Sequence, residues 1–268
     1  MAGAAELGGR ILTAVELAHK ILGAGRPLVV LHGLFGTLDN WQTVGRRLAE
    51  RRQVVLVDLP NHGRSPHVEA VDYADQAVAL AGFLADQWMH EVDVLGHSMG
   101  AKVAMRLALD YPDRVRSLVA VDMAPRAYAP GHGEIFAAMR SVPVGDDLTR
   151  GEIDALLAER IAEPGVRRFL MKNLARRREG GFRWKVNLEA LHRGYERLLA
   201  PVTGGPWGGP ALFVRGAASD YVRDVDLAGI RERFPAARLV TIAGAGHWVH
   251  ADRPAELLEA VEAFLPPG

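Results

Sequence analysis

The chain is expected to fold as an α/β protein, a doubly wound, mostly parallel sheet with an inserted helical cap. Short Val/Leu/Ile runs recur along the sequence, segments of helical period separate them, and the alternation stops between about Met123 and Pro210. Leu28-Val29-Val30-Leu31, closed by Gly33, has the continuous apolar character of a strand buried on both faces. Gln53–Val57, Val92–Leu95, Ser117–Val121, Ala211–Val214 and Arg238–Ile242 repeat that pattern, and Leu12–Leu17 is placed as an antiparallel strand at the edge. Trp41–Arg52, Tyr73–Trp88 and Met99–Tyr111 have helical period, and strands alternating with helices build parallel crossovers. The interrupted stretch contains only helix-like segments: Glu134–Arg140, Glu152–Ile161, Val166–Arg178 and Leu188–Leu199. The Gly- and Pro-rich Pro201–Pro210 is a loop returning to the sheet, and Arg176-Arg177-Arg178 a solvated helix end. Residues 1–122 and 211–268 are therefore assigned to the core and 123–210 to the cap.

Composition narrows the function classes. At 268 residues, 49% apolar and 24% charged, the chain can bury a sizeable core and is far from disordered composition. Thirty-two basic residues balance thirty-two acidic ones, which argues against a nucleic-acid partner, since phosphate binding needs excess Lys and Arg. With no cysteine there is no disulfide framework, thiolate metal site or Cys nucleophile. Glu6, Arg10, Glu16, His19 and Lys20 break any signal-peptide core, and Ala77–Ala85 is too short to span a bilayer. A cytoplasmic protein without membrane partners is expected, monomeric or a small homo-oligomer.

The chemistry is concentrated at strand ends. Gly96-His97-Ser98-Met99-Gly100 matches G-x-S-x-G between a strand and a helix, where a tight strained turn presents a serine hydroxyl above the sheet. A serine needs a base held by a carboxylate, and chain order in such folds runs Ser, acid, His, so His247 in Gly244-Ala245-Gly246-His247-Trp248 is the candidate base. His250 lines the pocket or fills space. Asp122 and Asp220, each after a strand, compete as the acid. Backbone donors for an oxyanion are assigned to Met99 and to Leu34 in His32-Gly33-Leu34-Phe35-Gly36, with Phe35 as fallback. His32 and the loop Asp58–Ser65 are expected to be mainly structural. His62 is retained as a pocket residue, together with Phe35, His97 and Trp248. Phe169–Leu174 and Phe182–Leu191 are expected to pack the core, and Gly131-His132-Gly133 is a loop. No metal or nucleotide motif occurs, so no cofactor is expected.

These residues resemble the α/β-hydrolase fold from about Leu28 to Leu265. Five blocks resemble small bacterial YbfF-type esterases and their mitochondrial abhydrolase relatives more narrowly: His32–Trp41, Asn61-His62-Gly63, Gly96–Lys102, Val121–Pro125 and Gly244–Ala251. The resemblance implies a serine hydrolase cleaving short acyl esters or thioesters of small molecules beneath a small helical cap. It departs at Ala101, where a third glycine is usual, and at Asp220, where close relatives often lack an acid; that second point tips the choice toward Asp122. C–C bond hydrolysis or perhydrolysis by the same serine machinery, or a poorly catalytic binding protein, are the alternatives.

Overall fold

The computed structural model describes residues 16–145 and 147–265, together with the backbone of 5–7 and 10–12. β1 (Ala5–Leu7) and β2 (Arg10–Leu12) pair antiparallel as a small ribbon. The apolar runs then form β3 (His19–Leu22), β4 (Pro27–Leu31), β5 (Gln53–Val57), β6 (Val92–His97) and β7 (Val115–Val121). After an insertion that contains β8 (Leu174–Arg176) and β9 (Phe182–Trp184), the sheet resumes with β10 (Ala211–Gly216) and β11 (Ala237–Ile242). Seven strands lie in the order β11-β10-β7-β6-β4-β5-β3, all parallel except β3, which runs antiparallel to β5.

The inner strands β4 and β5 are almost wholly apolar because both faces are covered. Leu28, Val30, Val54 and Leu56 point to the face packed by α1 (Gln42–Leu48), whereas Val29, Leu31, Val55 and Val57 point to the other. That opposite face carries α2 (Tyr73–Asp86) and α3 (Met99–Asp110). Asp72 caps α2 by accepting the Asp75 N–H.

Between β7 and β10 lie α4 (Gly133–Ser141), α5 (Arg150–Ala158), α6 (Pro164–Met171), α7 (Leu188–Arg193) and α8 (Tyr195–Leu199). Phe136, Ile153, Leu157 and Leu170 of this segment belong to the same apolar cluster as α2 and α3. α9 (Leu227–Arg233), α10 (Val249–Asp252) and α11 (Pro254–Phe264) complete the chain, with α11 beside α1. Among the described residues, no helix is long and apolar enough to cross a membrane.

Three expectations are corrected. The antiparallel edge strand is His19–Leu22, held by pairing with Val54–Val57, not Leu12–Leu17; residues 13–15 of that stretch lie outside the described ones. Val166–Arg178 is not one helix: α6 stops at Met171, and Gly180 and Gly181, at φ of 102° and 66°, reverse the chain into the β8–β9 hairpin. Arg176 consequently ends a strand, where it stacks over Phe182, and Arg177 pairs with Glu179 in the turn. Leu188–Leu199 is two helices that part at Gly194, where a side chain would strike Val71.

Candidate active site

Parallel strands all deliver their C-terminal ends to one edge of the sheet, and the candidate residues are gathered there. Ser98 follows β6 with φ 52° and ψ −120°, in the left-handed half of conformational space that a branched turn residue rarely occupies. The turn is possible because Gly96 and Gly100 pack backbone to backbone. A Cβ on Gly96 would collide with the Gly100 carbonyl, and one on Gly100 would lie 2.5 Å from the His32 carbonyl oxygen.

Asp122 follows β7, also in left-handed conformation at φ 50°, and its carboxylate is fully buried. It accepts from Gly216 N–H at 3.1 Å, from Ser219 Oγ at 2.5 Å and from His247 Nδ1 at 2.7 Å. His247 Nε2 lies 3.0 Å from Ser98 Oγ. With Nδ1–H given to Asp122, Nε2 is the acceptor for the serine proton. The Tyr221 ring stacks on the imidazole at 3.8 Å, and His97 Nε2–H donates to the His247 carbonyl at 2.9 Å, so ring and backbone are both held. Burial keeps the His97 ring neutral, well below its ordinary pKa, and the two imidazoles at 4.8 Å reinforce this.

The alternative acid, Asp220, is not brought to His247. It is exposed at the mouth of a cavity, and among the described residues only its backbone carbonyl is engaged, by Arg126. Its neighbours Ser219 and Tyr221 reach the site from that loop instead; no motif marked either beforehand.

Leu34 and Phe35 occupy the centre of a tight turn closed by Gly36 N–H to Gly33 carbonyl at 2.9 Å, with Phe35 at φ 59°. Phe35 N–H is taken by His62 Nε2 at 3.3 Å, whereas the N–H groups of Leu34 and Met99 have no partner among the described residues. Two unengaged donors on residues that bound one cavity together with Ser98 can receive a developing oxyanion. His62 is accordingly not in the cavity wall. It is fully buried behind the turn, its Nδ1–H donated to Pro60 carbonyl, and burial lowers its pKa to about 3. His32 likewise bridges loops, accepting Leu59 N–H at Nε2 and donating Nδ1–H to Gly33 carbonyl. Asp58 ties the next loop to this one through the N–H groups of Leu38 and Arg64.

Ser98 lies between two cavities. One is bounded by Phe35, Trp41, Phe169, His247, Trp248 and His250. The other is bounded by Tyr73, Met99, Met123, Leu198, Leu199 and Tyr221. Trp248 packs against Phe169 of α6 at 5.7 Å and His250 stacks on Trp41 at 4.5 Å. Phe169 thus both packs against the core, as expected, and faces a cavity. Asn173, also unmarked in the sequence, donates from Nδ2 to the Phe35 carbonyl at 2.6 Å.

A seven-stranded α/β sheet carrying a hydrogen-bonded Ser–His–Asp line at its strand ends defines a class of hydrolases, and residues 28–260 match the model of the alpha/beta hydrolase family. The chain belongs to that family. Esterase YbfF of Escherichia coli is 38% identical over 240 residues, covering 89% of this chain and 92% of that protein. The sn-1-specific diacylglycerol lipase ABHD11 of Mus musculus is 37% identical over 266 residues, covering 95% of this chain and 86% of that protein. Among solved structures, a marine microorganism esterase superposes with a TM-score of 0.92 at 39% identity, covering 94% of this chain and all of that one.

Proposed function

We propose that this chain is a carboxylic ester hydrolase that works through an acyl-enzyme on Ser98. The observation that carries the reading is the unbroken line from Ser98 Oγ through His247 to the buried Asp122, at 3.0 and 2.7 Å, opening onto both cavities. The names of the Escherichia coli and marine relatives, both esterases, support it. Ser98 Oγ attacks the ester carbonyl carbon while its proton passes to His247 Nε2. Asp122 stabilises the resulting imidazolium. The N–H groups of Leu34 and Met99 hold the oxyanion, which collapses as the alcohol leaves with the proton from Nε2. Water, giving a proton to Nε2, then attacks the acyl carbon, and the carboxylic acid leaves as Ser98 recovers its hydrogen.

Residues 123–210 act as a cap over these groups. Ile135, Val166 and Phe169 close one cavity, and Leu198 and Leu199 close the other. We expect acyl chains of about C2 to C6 to be preferred, because cap side chains limit the depth of each arm. The test is a series of 4-nitrophenyl esters from acetate to palmitate, with thioesters alongside, run on the protein and on Ser98→Ala. Turnover of the short esters that vanishes in Ser98→Ala is the expected result. No turnover by the folded protein, or undiminished activity in the variant, would overturn the reading, and strong palmitate cleavage with little on butyrate would overturn the chain-length expectation.

A further inference from the structure

His132 immediately precedes α4, and among the described residues only Ser98, Leu34 and His132 form part of the wall of both cavities. The Tyr195 hydroxyl lies 2.6 Å from His132 Nδ1 and accepts the N–H groups of Gly131 and His132, each at 3.2 Å. Those two donors fill the acceptor capacity of the phenol oxygen, which leaves its hydrogen for His132 Nδ1. Nδ1 is therefore an acceptor, and the neutral ring carries its proton on Nε2. Burial, and then the neighbouring His247, lower the ring's pKa to about 4, so this neutral form prevails at ordinary pH. Nε2–H has no acceptor among the described residues. The side chain makes no capping bond to α4, so capping that helix does not account for it.

His132 bounds both cavities together with Ser98, so a donor on this ring can serve an oxygen of an ester bound there. We propose that His132 is a substrate-binding residue whose Nε2–H donates to a second oxygen of the substrate, close to the scissile ester. The preferred substrates are then oxygenated esters, such as alkoxyacyl or hydroxyacyl esters and esters of polyols, over plain alkyl esters. The inference rests on Ser98 being the nucleophile.

Two isosteric pairs test it. 4-Nitrophenyl methoxyacetate against 4-nitrophenyl butyrate probes the acyl arm, and 2-methoxyethyl butyrate against butyl butyrate probes the alcohol arm. Each pair exchanges one CH₂ for oxygen, and intrinsic reactivity cancels when a variant is compared with the unaltered protein. His132→Asn keeps an acceptor for Tyr195 at the Nδ1 position and removes the Nε2 donor. His132→Gln restores a donor near Nε2 and gives up the Tyr195 bond. For the oxygenated member of at least one pair, His132→Asn is expected to lower kcat/KM about ten- to hundredfold, with the plain member within about threefold. His132→Gln should recover most of that loss. Equal losses on both members of each pair, or Gln as the worse replacement, would show a purely structural histidine and overturn the proposal. If neither variant folds, the unaltered protein decides it: a preference above about tenfold for 2-methoxyethyl over butyl butyrate, or for methoxyacetate beyond its alkaline-hydrolysis advantage, is expected, and parity overturns it. Ser98→Ala, run in parallel, separates the two failures, since surviving activity there would sink the nucleophile reading itself.

Discussion

Ser98, Asp122 and Phe35 hold φ values of 52°, 50° and 59°; Ser98 and Phe35 border the cavity, and Asp122 is buried behind His247. Such conformations cost on the order of 1–3 kcal/mol each in non-glycine residues, and they persist where the surroundings over-determine them. At Asp122 the turn aims the carboxylate back at Gly216, Ser219 and His247. Sequence spacing left Asp122 and Asp220 level because both follow strands that end on the same edge. What separates them is a backbone angle and the loop after β10, neither of which leaves a local signature. Asp122→Asn should lower kcat on the order of 10⁴-fold with the fold intact, since an amide favours the wrong imidazole tautomer and cannot balance the imidazolium. Asp220→Asn should stay within about tenfold, as befits an exposed carboxylate. Steady-state kinetics on both variants, with circular dichroism as the folding check, decides the pair.

The inserted segment is stitched to the loops that carry the site, element by element. Asn173, between α6 and β8, holds the Phe35 carbonyl; Asn187 at the start of α7 bonds Asn61; and the Tyr73 hydroxyl of α2 donates to Leu198 carbonyl in α8. Lys102 of α3, fully buried, donates to Ala200 carbonyl at the end of α8 and lies under the Tyr128 ring. Removing Asn173 leaves the Phe35 carbonyl unpaired and loosens the turn that presents the Leu34 N–H. Asn173→Ala should therefore cost about 1–3 kcal/mol in stability and lower kcat more than it raises KM. A KM effect alone, read from saturation curves on the butyrate ester, would contradict this. The main strands were legible because burial on both faces forces unbroken apolar runs, as at Leu28–Leu31 and Val54–Val57. The β8–β9 hairpin was not, because three-residue strands are too short to display alternation, although the Gly180-Gly181 pair was a turn signal.

Across the whole molecule, the site rests on imidazoles kept neutral by burial. His32, His62 and His97 are at most 3% exposed, and desolvation lowers their pKa values from 6.5 to about 4, to about 3 and well below the ordinary range respectively. Between pH 6.5 and about 4 these rings bind protons in the unfolded chain but not in the folded one, so stability falls as pH falls. Each ring contributes up to about 1.4 kcal/mol per pH unit there. The buried Asp58 carboxyl, raised above its usual range, opposes them with a single group. Urea midpoints should accordingly drop steeply from pH 7 to pH 5, and a flat profile would contradict neutral burial. The proposed chemistry depends on the Ser98 hydroxyl, which covalent trapping reads out. After treatment with a fluorophosphonate, intact-mass and peptide mapping should find one adduct, on Ser98, matched by complete loss of esterase activity. An adduct at another residue accompanying the inactivation, or full labelling of Ser98→Ala, would contradict it.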